Sequence, residues 1–524
     1  MKKSRTYGVF LSSLICVIFS SPAFAQYAGD AFRYSEINQT GTARFQGLGG
    51  NHAALGGDAS TISGNPAGLG FYNRSEFSIS PAVTNINTDS KYIDRSTTVG
   101  KSNFNIPNAS LVISSKPSFQ RKWKRTSLGI SYSRQQSFRN SFAYNGVNNR
   151  SAYVDKVVED ANAANLSERD YDDAYNDNNG QFYYPDEAYF RLKMIYPTRF
   201  ISTTEGSGAP YARDDKNSPS TQRGQFDSKG ANSQWSFTFA GNYNDKLYIG
   251  GSVGLTRLRY SYVNSFSDTF DKPTVFRSSV KGEDLTVTGN GVNATFGIIY
   301  KVSPVIQFGG SLTSPTFTAI KETFNESIGI DYIKGSITND NGVDIGPTEN
   351  GAQVVPNDFE YSLISPLRGS AGLTYFFGTK GFLTGSLEYV GYRGMRTRTK
   401  FNTDQAQNDE FNQNNKAEIK DTYNDVVNLR VGGELRAGLF RGRLGVAYLA
   451  DPYKIKTDGI DRSKLLLSAG VGVRSDRFFA DIAGTLTTYK SAYTPYVLDS
   501  IQNYSSVDIS NRGVNVMLTV GTFF

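Results

Sequence analysis

The chain has 524 residues and a formal net charge of +7, with 52 Gly, 32 Tyr and 35 Phe against 2 Trp, 4 Met, 1 His and 1 Cys. Mean hydropathy is -0.41, and the only long apolar run lies at the N-terminus, which excludes a helical membrane protein. So few thiol and imidazole groups leave no disulfide framework and no Cys- or His-rich metal site, and the small charge excess does not argue for nucleic acid.

Residues Met1 to Arg5 carry Lys2, Lys3 and Arg5, an apolar stretch runs from Val9 to Phe19, and Ala23-Phe24-Ala25 ends it. A charged start, a short apolar middle and small residues at the end predict a secretory signal peptide over residues 1–25, cut before Gln26. The only cysteine, Cys16, falls inside it and follows Ile15, where a lipidated cysteine would want a small residue. Residues 26–72 come next and lack sustained alternation. They contain Gly47-Leu48-Gly49-Gly50, Asp58-Ala59-Ser60 and Asn65-Pro66-Ala67-Gly68. Pro66 fixes its own φ and Asn65 can turn or cap the chain.

From residue 73 onward the period is two. Candidate strands are Phe77–Val83, Ala109–Ser115, Ser127–Gln135, Trp235–Tyr243, Leu247–Arg257, Gly291–Lys301 and Val305–Ser314. The second half adds Leu367–Phe377, Phe382–Val390, Val426–Arg436, Phe440–Ala450, Ser463–Val473, Phe478–Thr488 and Gly513–Phe524. Most are near the roughly 9–11 residues that a tilted strand needs to cross a bilayer. About fourteen is an even number, as a single-chain outer-membrane barrel requires. Connectors alternate between short turns, such as Asn244-Asp245-Lys246, Ser303-Pro304 and Ser475-Asp476, and long polar stretches, such as 84–108, 136–234, 258–290 and 315–366. With Phe524 on the periplasmic side, every long stretch lies outside the cell.

One face of each strand suits lipid: Leu367, Leu373 and Tyr375 on one strand, Val427, Leu429, Val431 and Leu435 on another. The reverse face carries Arg368, Glu388, Arg430, Glu434, Arg443 and Asp481, which predicts a polar lumen. These charges read as a ladder of pairs that stiffens the wall, or as an arginine fork for an anionic head group. Within 136–234, Val154, Val157, Val158 and Ala161 have helical spacing, and Phe182, Tyr183, Tyr184, Tyr189 and Phe190 follow. They either pack over the barrel mouth or form a hydrophobic landing groove. The last strand puts Val514, Val516, Leu518, Val520 and Phe524 on one face, and a terminal aromatic is similar to the signal that barrels present to their assembly machinery.

The glycine-rich segment with Asp58-Ala59-Ser60 and Asn65-Pro66-Ala67, followed by an aromatic first strand at Phe77 and Ile79, resembles the FadL/TodX/OmpP1 family of outer-membrane hydrophobic-compound transporters. The resemblance implies a fourteen-stranded barrel closed by an N-terminal hatch that carries the Asn-Pro-Ala motif, here Asn65, Pro66 and Ala67. It also implies uptake of long-chain fatty acids or aromatic hydrocarbons through extracellular loops, a lumen site and a shift of the hatch. The sequence thus predicts an all-β transmembrane barrel over residues 73–524, with a hatch over 26–72. The expected place is the outer membrane of a Gram-negative bacterium, and the expected partners are a hydrophobic small molecule, outer-membrane lipid and, through Phe524, the assembly machinery. No cofactor and no catalysis are expected. Gly250-Gly251-Ser252-Val253-Gly254 fits G-x-S-x-G, but the lone His52 precedes it and the run lies in a strand. The alternative function is a surface receptor, adhesin or structural barrel without transport.

Overall fold

A computed structural model of the chain describes residues 23–524 except 39–40, 117–119, 178–179, 198–210, 215–217, 401–403 and 457. The expected signal peptide lies almost wholly outside the described residues. Its last three positions open the first helix, α1 (Ala23–Ser35).

Fourteen strands make one closed antiparallel wall. They are β1 (Glu76–Tyr92), β2 (Arg95–Ser114), β3 (Trp123–Ser137), β4 (Ser220–Tyr243), β5 (Leu247–Phe270), β6 (Phe276–Lys301) and β7 (Ile306–Thr313). The second half comprises β8 (Arg368–Phe376), β9 (Gly381–Val390), β10 (Val426–Ala437), β11 (Phe440–Leu449), β12 (Lys464–Arg474), β13 (Phe478–Tyr493) and β14 (Val507–Phe523). Each pairs with its neighbour in sequence, and β14 returns to β1 with Phe523 opposite Glu76. Ser75 N donates to Phe524 O at 3.1 Å and Phe524 N donates to Ser75 O at 3.0 Å, so the end of the chain completes the wall. Short turns cluster at this end; Asn244 and Asp245 both take positive φ, 54° and 56°, in the tight β4–β5 turn.

All fourteen expected strands are present, but eleven of the candidates are shorter at one end or both than what is built. The stretches 84–108 and 258–290, read as loops, are hairpins whose upper parts carry β1–β2 and β5–β6 above the lipid zone. Upper segments Asn140–Asn148, Phe317–Tyr332, Asn357–Ile364 and Arg396–Arg398 extend other strands in the same way. The reason is an inversion of faces. On β6 the outward residues Tyr300, Ile298, Phe296 and Val292 are apolar and exposed, and then come Asn290, Thr288 and Thr286. Inward, Thr295 and Asn293 give way to Val287 and Leu285, which are buried. Strand β5 does the same, with Leu255 then Arg257 and Arg259 outside, and Thr256 then Leu258 and Tyr260 inside. Period two persists, but lipid makes the outer face apolar below and water makes it polar above.

The tower above the membrane therefore has a conventional core. Helix α1 buries Ala28, Ala31 and Tyr34 against Leu258, Tyr260, Val287, Ile320, Tyr361 and Ile419, the last from α6 (Gln405–Thr422). Helices α3 (Tyr153–Ala164), α4 (Glu168–Asp177) and α5 (Pro185–Arg191) cap the top. No helix among the described residues is long and apolar enough to cross a membrane.

Candidate transport route: hatch floor and wall seam

Residues Thr42 to Tyr72 fill the periplasmic half of the lumen with α2 (Ala43–Gly47) and two 3-10 turns, Ala59–Ile62 and Pro66–Phe71. Asp58 caps the first turn by accepting from Ser60 N at 2.9 Å. Asn65 caps the second, its Oδ1 accepting from Ala67 N at 3.1 Å. The Asn65 amide also donates to Ala53 O at 2.6 Å and to Ile298 O of β6 at 3.3 Å. So Asn65, with Pro66 and Ala67, both shapes this lumen-filling segment and ties it to the wall.

Other ties run round the circumference. Ala43 N donates to Thr519 Oγ1 of β14 at 2.7 Å, and Gly49 N to Ser468 Oγ of β12 at 3.1 Å. Thr238 of β4 donates to Ile62 O at 2.9 Å, while Gln307 of β7 and Thr374 of β8 both donate to Ala54 O, at 2.5 and 2.9 Å. The wall meets the hatch backbone where it has no side chain. A Cβ on Gly297 would stand 2.0 Å from Asn65 Oδ1, and one on Gly309 would stand 2.1 Å from Ala53 O. Gly250, Gly432 and Gly445 meet Pro66, Leu48 and Gly49 in the same fashion. This belt accounts for part of the high glycine content: an inward side chain there would push the hatch off.

The charged lumen residues fall into two sets. Glu388 takes Arg430 at 3.1 Å and Arg368 at 3.5 Å. Glu434 takes Arg443 at 2.8 Å, Arg436 at 2.9 Å and Arg44 of the hatch at 3.1 Å, and Arg443 reaches on to Asp481 at 2.5 Å. The paired ladder is what is built, and it extends into the hatch through Arg44. Such buried pairs add little net stability, but removing one partner strands a charge. His52 lies beside Phe45, the ring centroids 5.6 Å apart and the planes tilted, and Ser252 lies inside β5.

The loop aromatics are mostly packed. Val154, Val157, Ala161, Tyr189 and Phe190 are buried with Ile328, Ile330 and Tyr332, and Val158 and Phe182 pack against them. Only Tyr183 and Tyr184 are exposed. This is a closed core over the mouth rather than an open groove.

The wall is not sealed everywhere. β1 pairs with β2 along its length, but β2 pairs with β3 only from Asn108 to Ser114, against Ser127 to Ser133. Above Pro107, no main-chain pairing joins β2 to its β3 side among the described residues. Pro107 sits where pairing stops, beside a bulge that sets Pro81 of β1 opposite it, and neither proline has an N–H to give. On the other side β3 bulges at Arg134/Gln136, and Gly230 of β4 has a φ of +115° beside the bend. β3 turns inward there, so Arg134 and Gln136, which alternation would aim at lipid, line an internal chamber of 160 Å³ together with Lys101, Arg139 and Lys464. Phe104 and Ile106 stand exposed along the free edge of β2. Higher up only side chains bridge the seam, as Asn145 Nδ2 donates to Thr97 Oγ1 at 3.2 Å. A second chamber of 330 Å³ lies between α1 and β11–β13, lined by Phe32, Tyr392, Tyr453 and Tyr489 and sharing Lys464 with the first. Sequence reasoning missed the seam; the signal was there in Pro81, inside the candidate strand Phe77–Val83, and in Pro107, in the stretch read as a loop.

No family model matches the sequence, and no curated protein matches it. Among solved structures, a Pseudomonas aeruginosa FadL homologue aligns over 93% of this chain and 98% of its own at TM-score 0.52 and 14% identity. The P. putida toluene transporter TodX aligns over 93% of this chain and 99% of its own at TM-score 0.51 and 11% identity. At these identities the likeness is one of fold.

Proposed function

We propose that the protein is a passive outer-membrane channel that moves hydrophobic or amphipathic small molecules, such as long-chain fatty acids, with the hatch closing the straight path. The observation that carries this reading is the coexistence of a floor bonded to the wall all round with an unpaired seam directly above it. A water-filled pore needs a clear bore, whereas a solute with an apolar chain needs only a way into lipid. The ligand enters from outside, dwells in the chambers beneath α1 and leaves between β2 and β3 into the outer leaflet. Burial of its chain contributes about 25 cal/mol per Å² removed from water. The leading part of the hatch segment, 26–38, is then the piece that moves, and Thr42 to Tyr72 stays.

The fold shared with a FadL homologue and a toluene transporter supports the same reading. Growth on a long-chain fatty acid as sole carbon source tests it, in a Gram-negative host whose own fatty-acid transporter is deleted. The full chain should restore growth and label uptake. Outer-membrane insertion without any gain in uptake of fatty acids or aromatic hydrocarbons would instead favour a receptor or structural barrel.

A further inference from the structure

We propose that Glu36 is an internal stand-in for the anionic head group of the cargo, and that a carboxylate or phosphate ester on an alkyl chain takes its place on Lys464 and Gln136. The segment after α1 crosses the lumen directly behind the seam. Asn38 N donates to Gln135 O at 2.9 Å, so the segment bonds to β3 close to where β3 has lost β2. The Glu36 carboxylate accepts from Gln136 Nε2 of β3 at 3.3 Å. It also pairs with Lys464 of β12, on another part of the wall. The Lys464 side chain is 18% exposed, and its ammonium stands 4.8 Å from the Tyr489 ring. Lys464 and Tyr489 line both chambers, so Glu36 sits at their junction.

The charge balance of the seam chamber singles out an anion. Its lining includes Lys101, Arg134, Arg139 and Lys464, and no Asp or Glu. Lys101 is met by Asp227 at 2.9 Å, while the Arg139 side chain makes no hydrogen bond or ion pair among the described residues. A neutral hydrocarbon entering this chamber would strip water from cations and return nothing. An anionic head would make charge-assisted bonds in a water-poor wall. Its chain would then lie against Phe32 and Tyr453 in the upper chamber or run out past Phe104. Taking Lys464 and Gln136 from Glu36 loosens the segment at this point, where the Asn38 N–H to Gln135 O bond stays in place. The physiological meaning rests on the lateral route proposed above, but binding itself is measurable without transport.

The test uses the full chain in a non-ionic detergent at pH 8, with a fluorescently labelled hexadecanoate displaced by dodecanoate, dodecyl phosphate or dodecanol. The two anions should displace it, and dodecanol should be roughly tenfold weaker or worse, as expected for the loss of one charge-assisted bond. Lys464→Gln should weaken dodecanoate about tenfold and Lys464→Arg should retain it. Glu36→Gln should act in the opposite direction, binding dodecanoate severalfold tighter, because the resident carboxylate no longer competes. Heat-modifiable migration on gels verifies that each variant is a folded barrel. Equal displacement by dodecanol, or a folded Glu36→Gln barrel that binds no tighter, overturns the proposal. Competition by anionic phospholipid as strong as by dodecanoate gives the site to a membrane lipid and overturns its assignment to cargo. Charge-selective binding without uptake in cells would contradict the transport reading alone, and uptake indifferent to head-group charge would contradict this site alone.

Discussion

The floor of the lumen and the β2–β3 seam are built from the same kinds of residue to opposite ends. At the floor, glycines let the hatch backbone lie against the wall, and Asn65, Gln307, Thr374 and Thr519 bond it to strands on every side. At the seam, prolines and bulges withdraw main-chain donors from the wall, and polar side chains line the space left behind. A buried backbone that forgoes its ladder bonds costs free energy, so a seam persists only where the sequence enforces it. On the proposed function, the axial path is the guarded one and the side wall the permitted one.

The contrast is broken most completely by removing the floor. Deleting residues 42–72 removes no wall strand, so the barrel should still assemble and its single-channel conductance in planar bilayers should rise severalfold or more above that of the full chain. An unchanged conductance would mean that these residues do not close the bore. Filling the seam comes next. Ser137 lines its chamber, and Ser137→Trp should cut cellular uptake of a long-chain fatty acid by about tenfold while leaving the surface-exposed barrel intact, equivalent to about 1.4 kcal/mol on the barrier. Full uptake would send the cargo elsewhere.

A smaller effect is expected at the hatch motif. Asn65→Ala loses the bonds to Ala53 O, Ile298 O and Ala67 N, at about 1 kcal/mol each. That is small against a whole barrel but enough to loosen one side of the floor. Brief conductance openings should appear while barrel yield stays normal; a silent variant would confine Asn65 to a local turn.

The smallest effect lies in the tower, outside the lipid zone. Burial, and then the neighbouring Asp30 carboxylate, push Glu322 up to about 7. A carboxyl raised in the folded state contributes stability that is whole below its unfolded value and is lost as pH rises through the folded one. The packing of α1 should therefore weaken between about pH 4.5 and 7, by no more than about 3 kcal/mol. The protection of α1 amides, taken relative to their intrinsic base-catalysed exchange, should fall over that window in the wild type and stay constant in Glu322→Gln. Identical pH profiles would contradict the assignment.

The sequence revealed the membrane zone best, because there lipid on one side and a polar lumen on the other give alternation its full contrast. Leu429 and Arg430, or Leu373 and Thr374, announce their faces at once. Above the membrane the contrast reverses and softens, as in Asn85-Ile86-Asn87, so tall hairpins looked like loops. The motif at Asn65 was legible as a capped turn, but its reach to Ile298, 233 residues away, was not. Nor was the pairing of Glu36 with Lys464, which depends on where a crossing segment passes the wall. The aromatic run from Phe182 to Phe190 was legible as needing burial, though not as needing β6's upper neighbour Phe317–Tyr332 for it.

The account stands or falls on whether cargo leaves while the floor stays put. Ala43 of α2 and Ala483 of β13 pack in one buried cluster, and the lone native cysteine, Cys16, lies in the expected signal peptide, so Ala43→Cys with Ala483→Cys offers a reversible lock. Fatty-acid uptake should be the same with the lock oxidised and with it reduced. Uptake that stops on oxidation and returns on reduction would show that the hatch itself must move, and would contradict a lateral exit above a fixed floor.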